Sequence, residues 1–232
     1  MKSLDEIIIY KDDNIVILNK PSSLLCQKDG SNEVSLEDYV QEYFHNKNAR
    51  LINRLDKDTT GLIVFGLNES AIKYFNEVFS DHERVEKKYL VLVSGQITES
   101  GEVNAPIRKN FQKHKMVVCP EKNGGKSALT LYKPLQVFDD STLLEVTLKT
   151  GMTHQIRVHM SYIRHHVIGD YKYGDFKINN KYKNEYGLKS QFLHSFSLKF
   201  NCLNKQYYYL NNKEFLCRMP EEFVKIIESK LK

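Results

Sequence analysis

The segment Asn53–Phe65, Asn-Arg-Leu-Asp-Lys-Asp-Thr-Thr-Gly-Leu-Ile-Val-Phe, sets one carboxylate, Asp56, between Arg54 and Lys57 and runs straight into the apolar stretch Leu62–Phe65. Nearby positive charge favours the ionised form of a carboxylate. An ionised Asp on a loop is a usable nucleophile or a stabiliser of developing positive charge. Charged clusters ending in glycine also commonly punctuate strands, so the rest of the chain has to decide between an active-site loop and a charged turn.

Working outward, Glu6–Tyr10 and Asn14–Lys20 are rich in Ile and Val and are separated by Lys11-Asp12-Asp13, which predicts a β-hairpin. Ser35 and Asp38 form a capping-box pair ahead of Leu36, Tyr39, Val40, Tyr43 and Phe44 at helical spacing, and these aromatics are expected in the core. After the Asp56 loop come a strand over Leu62–Gly66 and a helix capped by Asn68, with Ala71, Ile72, Phe75, Val78 and Phe79 on one face. A further strand covers Tyr89–Val93. Gly101–Thr130 lacks periodicity and holds Pro106, Pro120 and Gly124-Gly125; it reads as strands joined by loops and as the boundary between two lobes. Leu143–Leu148 alternates as a half-buried strand. Thr150-Gly151 turns, and Thr153 is placed to cap a helix whose buried stripe is Ile156, Met160, Ile163 and Val167. Lys172–Lys189 reads as a long polar loop, and Glu221–Leu231 as a helix burying Phe223, Ile226, Ile227 and Leu231. Strands and helices without regular alternation argue for an α+β protein on a mixed or antiparallel sheet. No repeat or long linker divides it, so residues 1–232 are expected to form one domain.

The 232 residues, 41% hydrophobic, suffice for a sizeable core. A net charge of +5 suits a polyanionic partner, but the charge is dispersed, so a binding track has to come from folding rather than from a basic tail. Cys26, Cys119, Cys202 and Cys217 are widely spaced with no CxxC pair, which reads as reduced thiols in a cytoplasmic protein. The apolar runs fall far short of the roughly 20 residues that cross a bilayer, and no membrane partner is expected.

Four stretches together carry a specific resemblance. Asn53–Gly61 (NRLDKDTTG) resembles the HRLDxxTSG loop of the pseudouridine synthases that modify ribosomal and transfer RNA. Ile15–Leu25 (IVILNKPSSLL) resembles their NKPSGL segment, Lys87–Gly95 (KKYLVLVSG) their KxYxAxVxG strand, and Lys149–Met160 (KTGMTHQIRVHM) their RTGRTHQLRVHL motif. Smaller echoes follow in Gly125–Tyr132, Ile168–Gly174 (IGDYKYG) and Leu193–Leu198. The resemblance implies the pseudouridine synthase fold: a mixed, mainly antiparallel sheet in two lobes flanked by helices, with a central active-site cleft. It also implies an isomerase acting on a uridine flipped out of RNA. The first expected strand begins near Met1, so the chain is expected to be the catalytic domain without the small N-terminal RNA-binding module of some relatives. A monomer is expected.

The resemblance makes Asp56 the catalytic residue, Tyr89 a ring stacked on the target base, and Arg157 a buried cation that pairs with Asp56. Ile156 would line the pocket. Arg54, Lys57, Lys88 and Arg108, with Lys87 and Lys109, are candidates for phosphate contacts. Each also has a plainer reading, Tyr89 as a core aromatic and Arg157 as a surface residue. Isomerisation moves no electrons, and the chain has no GxGxxG or Walker loop, so no cofactor is expected. His154, His159, His165 and His166 invite a zinc site. His154 and His159 are five apart rather than four, however, and no Cys or acidic ligand is suitably spaced, so no metal is expected. Asp58 reads as a turn residue. Asn53, Ser23, Lys149 and Met152 depart from the family pattern, and the loss of two Arg weakens the expected basic lining. Two alternatives stay open: an inactive RNA-binding protein on the same fold, and a nucleoside hydrolase or glycosidase using Asp56 and Asp58.

Overall fold

Ile15–Leu18 is completely buried, both faces alike, and it organises the first of two compact units. The structure is a computed structural model that describes residues 3–231. One unit comprises the described residues up to Lys87 together with Ser195–Met219; the other comprises Lys88–His194 and Pro220 onward. The expected lobe boundary in Gly101–Thr130 is therefore wrong. Both units are assembled from stretches distant in sequence, and linear composition carries no trace of such a division.

In the first unit β1 (Ile8–Lys11) pairs with β2 (Ile15–Lys20) as the expected hairpin. Asp12 fixes the turn by accepting from the backbone N–H of Asn14 at 2.7 Å and Ile15 at 2.8 Å. β2 pairs with β4 (Thr60–Gly66), which also takes the short β3 (Arg50–Leu51). β11 (Leu193–Phe200) lies beside β4 and carries β12 (Glu214–Leu216). Two helices complete the unit. α1 (Leu36–Tyr43) starts at the Ser35–Asp38 capping box, and its Tyr39, Tyr43 and Phe44 are half-buried rather than core. α2 (Glu69–Ser80) starts at Asn68, whose side chain accepts from Ala71 N–H, and packs Ala71, Phe75 and Val78 against Ile15, Ile17, Leu62, Val64 and Phe200.

β5 (Val85–Ser94) is longer than expected. In the second unit its register runs antiparallel to β10 (Ser141–Leu148), then β9 (Leu129–Val137) and β6 (Gly101–Asn104) follow. β7 (Ile107–Asn110) and β8 (Lys115–Val118) form a separate two-stranded ribbon, with Phe111–Lys115 exposed at its tip. α3 (Gln155–Tyr162), α4 (Phe176–Tyr186) and α5 (Glu221–Lys230) belong here. α4 replaces the expected polar loop. Asp175 caps it and Gly187 ends it at φ +72°, but it buries only Asn179 and Tyr182, too little apolar surface to show a period. α3 also differs in detail, since His154 at φ +55° rather than Thr153 is its N-cap. α5 stacks Phe223 on Phe192 with ring centroids 3.9 Å apart, and leaves Leu231 exposed instead of buried. The strand pairings described are antiparallel, and the strands are accompanied by five α-helices among the described residues, which makes the fold α+β as expected. Among the described residues no helix is long and apolar enough to cross a membrane.

Candidate active site

Asp56 sits half-buried on the loop between β3 and β4, and that loop is held chiefly through its backbone. Lys20, at the end of β2, is completely buried. Its ammonium donates to the carbonyls of Pro21 and Leu24, both at 2.9 Å, and to that of Lys57 at 2.7 Å. All three of its N–H groups are thus used to pin the chain on either side of the cradle. Burial lowers its pKa to about 8, against the pull of Cys26, Asp58 and Asp56. The Cys26 thiol donates to the carbonyl of Leu55 at 3.0 Å, so a second group holds the residue just before Asp56. Within the loop Thr59 N–H donates to the Asp56 carbonyl at 3.1 Å. Gly61 ends it at φ +110°, and a Cβ there would lie 2.2 Å from the carbonyl oxygen of Ser195, so only glycine lets β4 leave at this point.

The two cations flanking Asp56 in sequence are turned to different uses. Arg54 is exposed, while the Lys57 ammonium, on the turn that follows, bonds both oxygens of Glu33 at 2.9 and 2.7 Å. Asp58 is exposed and accepts from the Ser23 hydroxyl at 3.4 Å. Ser23 stands where the family pattern has glycine, and its φ of +61° gives the reason for that glycine.

Of the other expected residues, all but Lys87 lie in the second unit. Tyr89 is buried on β5 opposite Val146, with Lys88 half-buried beside it. Lys87, an expected phosphate contact, belongs to the first unit and is buried. Among the described residues no hydrogen bond or ion pair reaches its ammonium, which lies 5.8 Å from the Phe79 ring centroid, and burial lowers its pKa to about 8. Arg108 is exposed on β7.

Ile156 and Arg157 enter α3 side by side, and both are buried. The entry is fixed by Gln155, whose carboxamide accepts from Thr150 and from Met152 N–H and donates to Leu129 and Thr130. All six residues from Gln155 to Met160 are buried, so Arg157 is enclosed rather than set at the edge of a core face. Its guanidinium grips Asp170 with two bonds, Nε to Oδ2 at 2.7 Å and Nη2 to Oδ1 at 2.9 Å. Burial alone would raise the Asp170 pKa. The Arg157 bonds and charge, with the N–H groups of Lys172 and Tyr173, outweigh it and hold the carboxyl below the usual range.

The four histidines serve separate places. His159 bonds Thr130 and the Ala105 carbonyl, His154 bonds Tyr173, and His165 and His166 bond the carbonyls of Ser94 and Tyr173.

The family model described as RNA pseudouridylate synthase matches residues 14–162, a stretch that contains Asp56, Tyr89 and Arg157. The chain belongs to the RNA pseudouridylate synthase family. It is 36% identical over 203 residues to ribosomal large subunit pseudouridine synthase C of Vibrio parahaemolyticus, covering 85% of this chain and 62% of that protein. It is 33% identical over 236 residues to ribosomal large subunit pseudouridine synthase D of Haemophilus ducreyi, covering 96% and 70%. This pseudouridylate synthase family member thus spans roughly two thirds of the length of these curated relatives. Among solved structures, human RNA pseudouridylate synthase domain containing 4 superposes with a TM-score of 0.77 at 25% identity, covering 98% of this chain and 94% of that one.

Sequence reasoning missed Lys20 and Cys26 as the cradle of the loop, and Asp170 and Tyr173 as partners of Arg157. IGDYKYG signalled the last two, as an echo without a role. Lys20 lies inside the NKPSS motif and reads there only as the last residue of a strand.

Proposed function

We propose that the chain isomerises uridine in RNA to pseudouridine through Asp56. The observation that carries this reading is the construction of the Asp56 loop. A fully buried lysine spends all three donors on backbone carbonyls, and a buried thiol holds Leu55, so the placement of one carboxylate is maintained at considerable desolvation cost. In the reaction the bond from uracil N1 to ribose C1′ breaks, the base turns, and C5 bonds to C1′. The C5 proton leaves while N1 gains one, so the product is an isomer and no electron acceptor is required. Asp56 acts on the sugar or on the detached base. Tyr89 stacks on the uracil near the C5 proton, Arg157 is the cation assigned to act with Asp56, and Ile156 packs against the base.

Arg54, Lys57, Lys88 and Arg108 are assigned to backbone phosphates; Arg54 and Arg108 are already exposed for it. The names of the relatives support large-subunit ribosomal RNA rather than transfer RNA as substrate; that the protein works as a monomer in the cytoplasm is part of the proposal. RNA carrying tritium at uracil C5 tests the reading. Isomerisation releases the label to water without free uracil, and does so in EDTA. Free uracil as product would establish a hydrolase instead, and RNA binding without release would establish a binding protein.

A further inference from the structure

The side chain of Tyr173 touches both Arg157 and the β7–β8 ribbon, beside the direct packing of Val158 on Ile107, Met116 and Val118. The Tyr173 hydroxyl accepts from the backbone N–H of Met116 in β8 at 2.9 Å and shares a hydrogen bond of 2.8 Å with His154 Nδ1. The same ring packs 5.1 Å from the Arg157 guanidinium carbon, and the Lys115 ammonium of the ribbon lies 5.6 Å from it on its way to the Lys172 carbonyl. The backbone N–H of Tyr173 in turn donates to Asp170 Oδ1 at 3.1 Å, the oxygen that also takes Arg157 Nη2. Asn179 of α4 secures this turn from beneath, donating to the Asp170 carbonyl at 2.9 Å and accepting from Gly169 N–H at 2.8 Å. The ribbon tip is open: Phe111 is 73% exposed, and Lys109 lies 5.1 Å from its ring.

We propose that Tyr173 is a positioning residue that couples the ribbon to Arg157, so that RNA seated on the ribbon sets the orientation of the guanidinium on Asp170. The inference rests on the function proposed above, because it needs RNA on the ribbon and a catalytic task for Arg157. The physical ground is that Tyr173 touches both elements with different atoms. Its hydroxyl follows β8 and its ring and backbone follow Arg157 and Asp170, so a shift of the ribbon cannot leave the guanidinium's surroundings unchanged. Tyr173→Phe is the sharpest test, since it keeps the ring against Arg157 and removes the hydroxyl's bonds to Met116 N–H in the ribbon and to His154.

The measurement is tritium release at saturation from two RNAs, a stem-loop long enough to cover the ribbon and a short oligonucleotide bearing the same uridine. Wild-type protein should turn over the long RNA about tenfold faster than the short one. Tyr173→Phe should bring that ratio close to one with little change in affinity, and Phe111→Ala should do the same. The double variant should be no worse than either alone. A ratio taken within one variant is independent of how much of it is folded, so partial loss of fold does not blur the outcome. A tenfold ratio that survives Tyr173→Phe, or effects that multiply in the double variant, would overturn the coupling. Wild-type protein that releases no label, or Arg157→Lys with normal turnover, would instead overturn the underlying function or the task of Arg157, and the coupling with it.

Discussion

The Asp56 loop and the Arg157 clamp are held by different means. Around Asp56 the restraints fall on backbone: Lys20 and Cys26 donate to carbonyls at Pro21, Leu24, Leu55 and Lys57. Around Arg157 they fall on the side chain itself, through two bonds to a buried carboxylate and an aromatic ring over the guanidinium. Backbone restraint sets where the Asp56 loop lies, whereas side-chain restraint ties the Arg157 guanidinium to Asp170. The roles proposed for the two residues, one reacting and one orienting, call for these different solutions.

The largest effect that could break this comparison is Asp56→Asn. The amide keeps the volume and the loop's backbone bonds, so turnover should fall by at least about a thousandfold while the melting temperature stays within a degree or two. Asp58→Asn, by contrast, should keep most activity, and an equal loss in both variants would point to two carboxylates acting together. Next comes Asp170→Ala, which removes one partner of a buried ion pair and should cost roughly 3 to 5 kcal/mol of stability. Its pH dependence has a definite sign. The folded pKa of Asp170 lies below its unfolded value, so the stabilisation is complete above the ordinary Asp range and is lost as pH falls through the folded value. Acid unfolding of the wild type should lose this contribution while the variant has none to lose, and parallel acid limbs in the two would refute the clamp's role in stability.

These two regions also differ in how much of them the sequence discloses. The hairpin, α1 with its capping box, α2 behind Asn68 and the strand after Gly61 are legible because their signals are local, lying within a few residues of one another. Asp56 stands out through the family resemblance of NRLDKDTTG, since the charged cluster by itself also reads as a turn. Asp170 and Tyr173 lie 13 and 16 residues beyond Arg157 on an aperiodic turn, and nothing in local pattern links a carboxylate to an arginine at that distance. Lys20 reads only as the last residue of a strand, and it takes the folded chain to bring three carbonyls to it. α4 was hidden because its buried side are the polar Asn179 and the single Tyr182.

Lys20→Met sharpens the comparison at the backbone end. It removes a buried charge, a gain, and strands carbonyls that had a donor, a loss, for a net cost of about 2 kcal/mol at neutral pH. The sign follows from the folded pKa of about 8, below the usual 10.5. Between those values the unfolded chain holds a proton that the folded chain lacks, so wild-type stability gains from this group as pH rises, and the variant shows no such gain. Urea unfolding at pH 7.5 and pH 10, compared between the two proteins, reads the difference directly. An identical pH response in both would mean that Lys20 is solvated.

The smallest effect concerns Lys57, whose ammonium is shared between two expected roles. It bonds Glu33 across the surface, with side chains 42% and 54% exposed, and it is assigned to RNA phosphate. Exposed ion pairs add little to stability, so Glu33→Ala should leave the melting temperature unchanged. It should nevertheless tighten RNA binding about twofold at low salt, because Lys57 no longer has to leave a carboxylate before meeting a phosphate, and the slope of log Kd against log salt should steepen by at most roughly 0.7. Filter binding at several salt concentrations measures both quantities. No change at any salt would remove Lys57 from the RNA contacts. Weaker binding would mean that Glu33 instead holds Lys57 in the position from which it reaches RNA, making the pair part of the loop's restraint and bringing the Asp56 region closer in design to the Arg157 clamp.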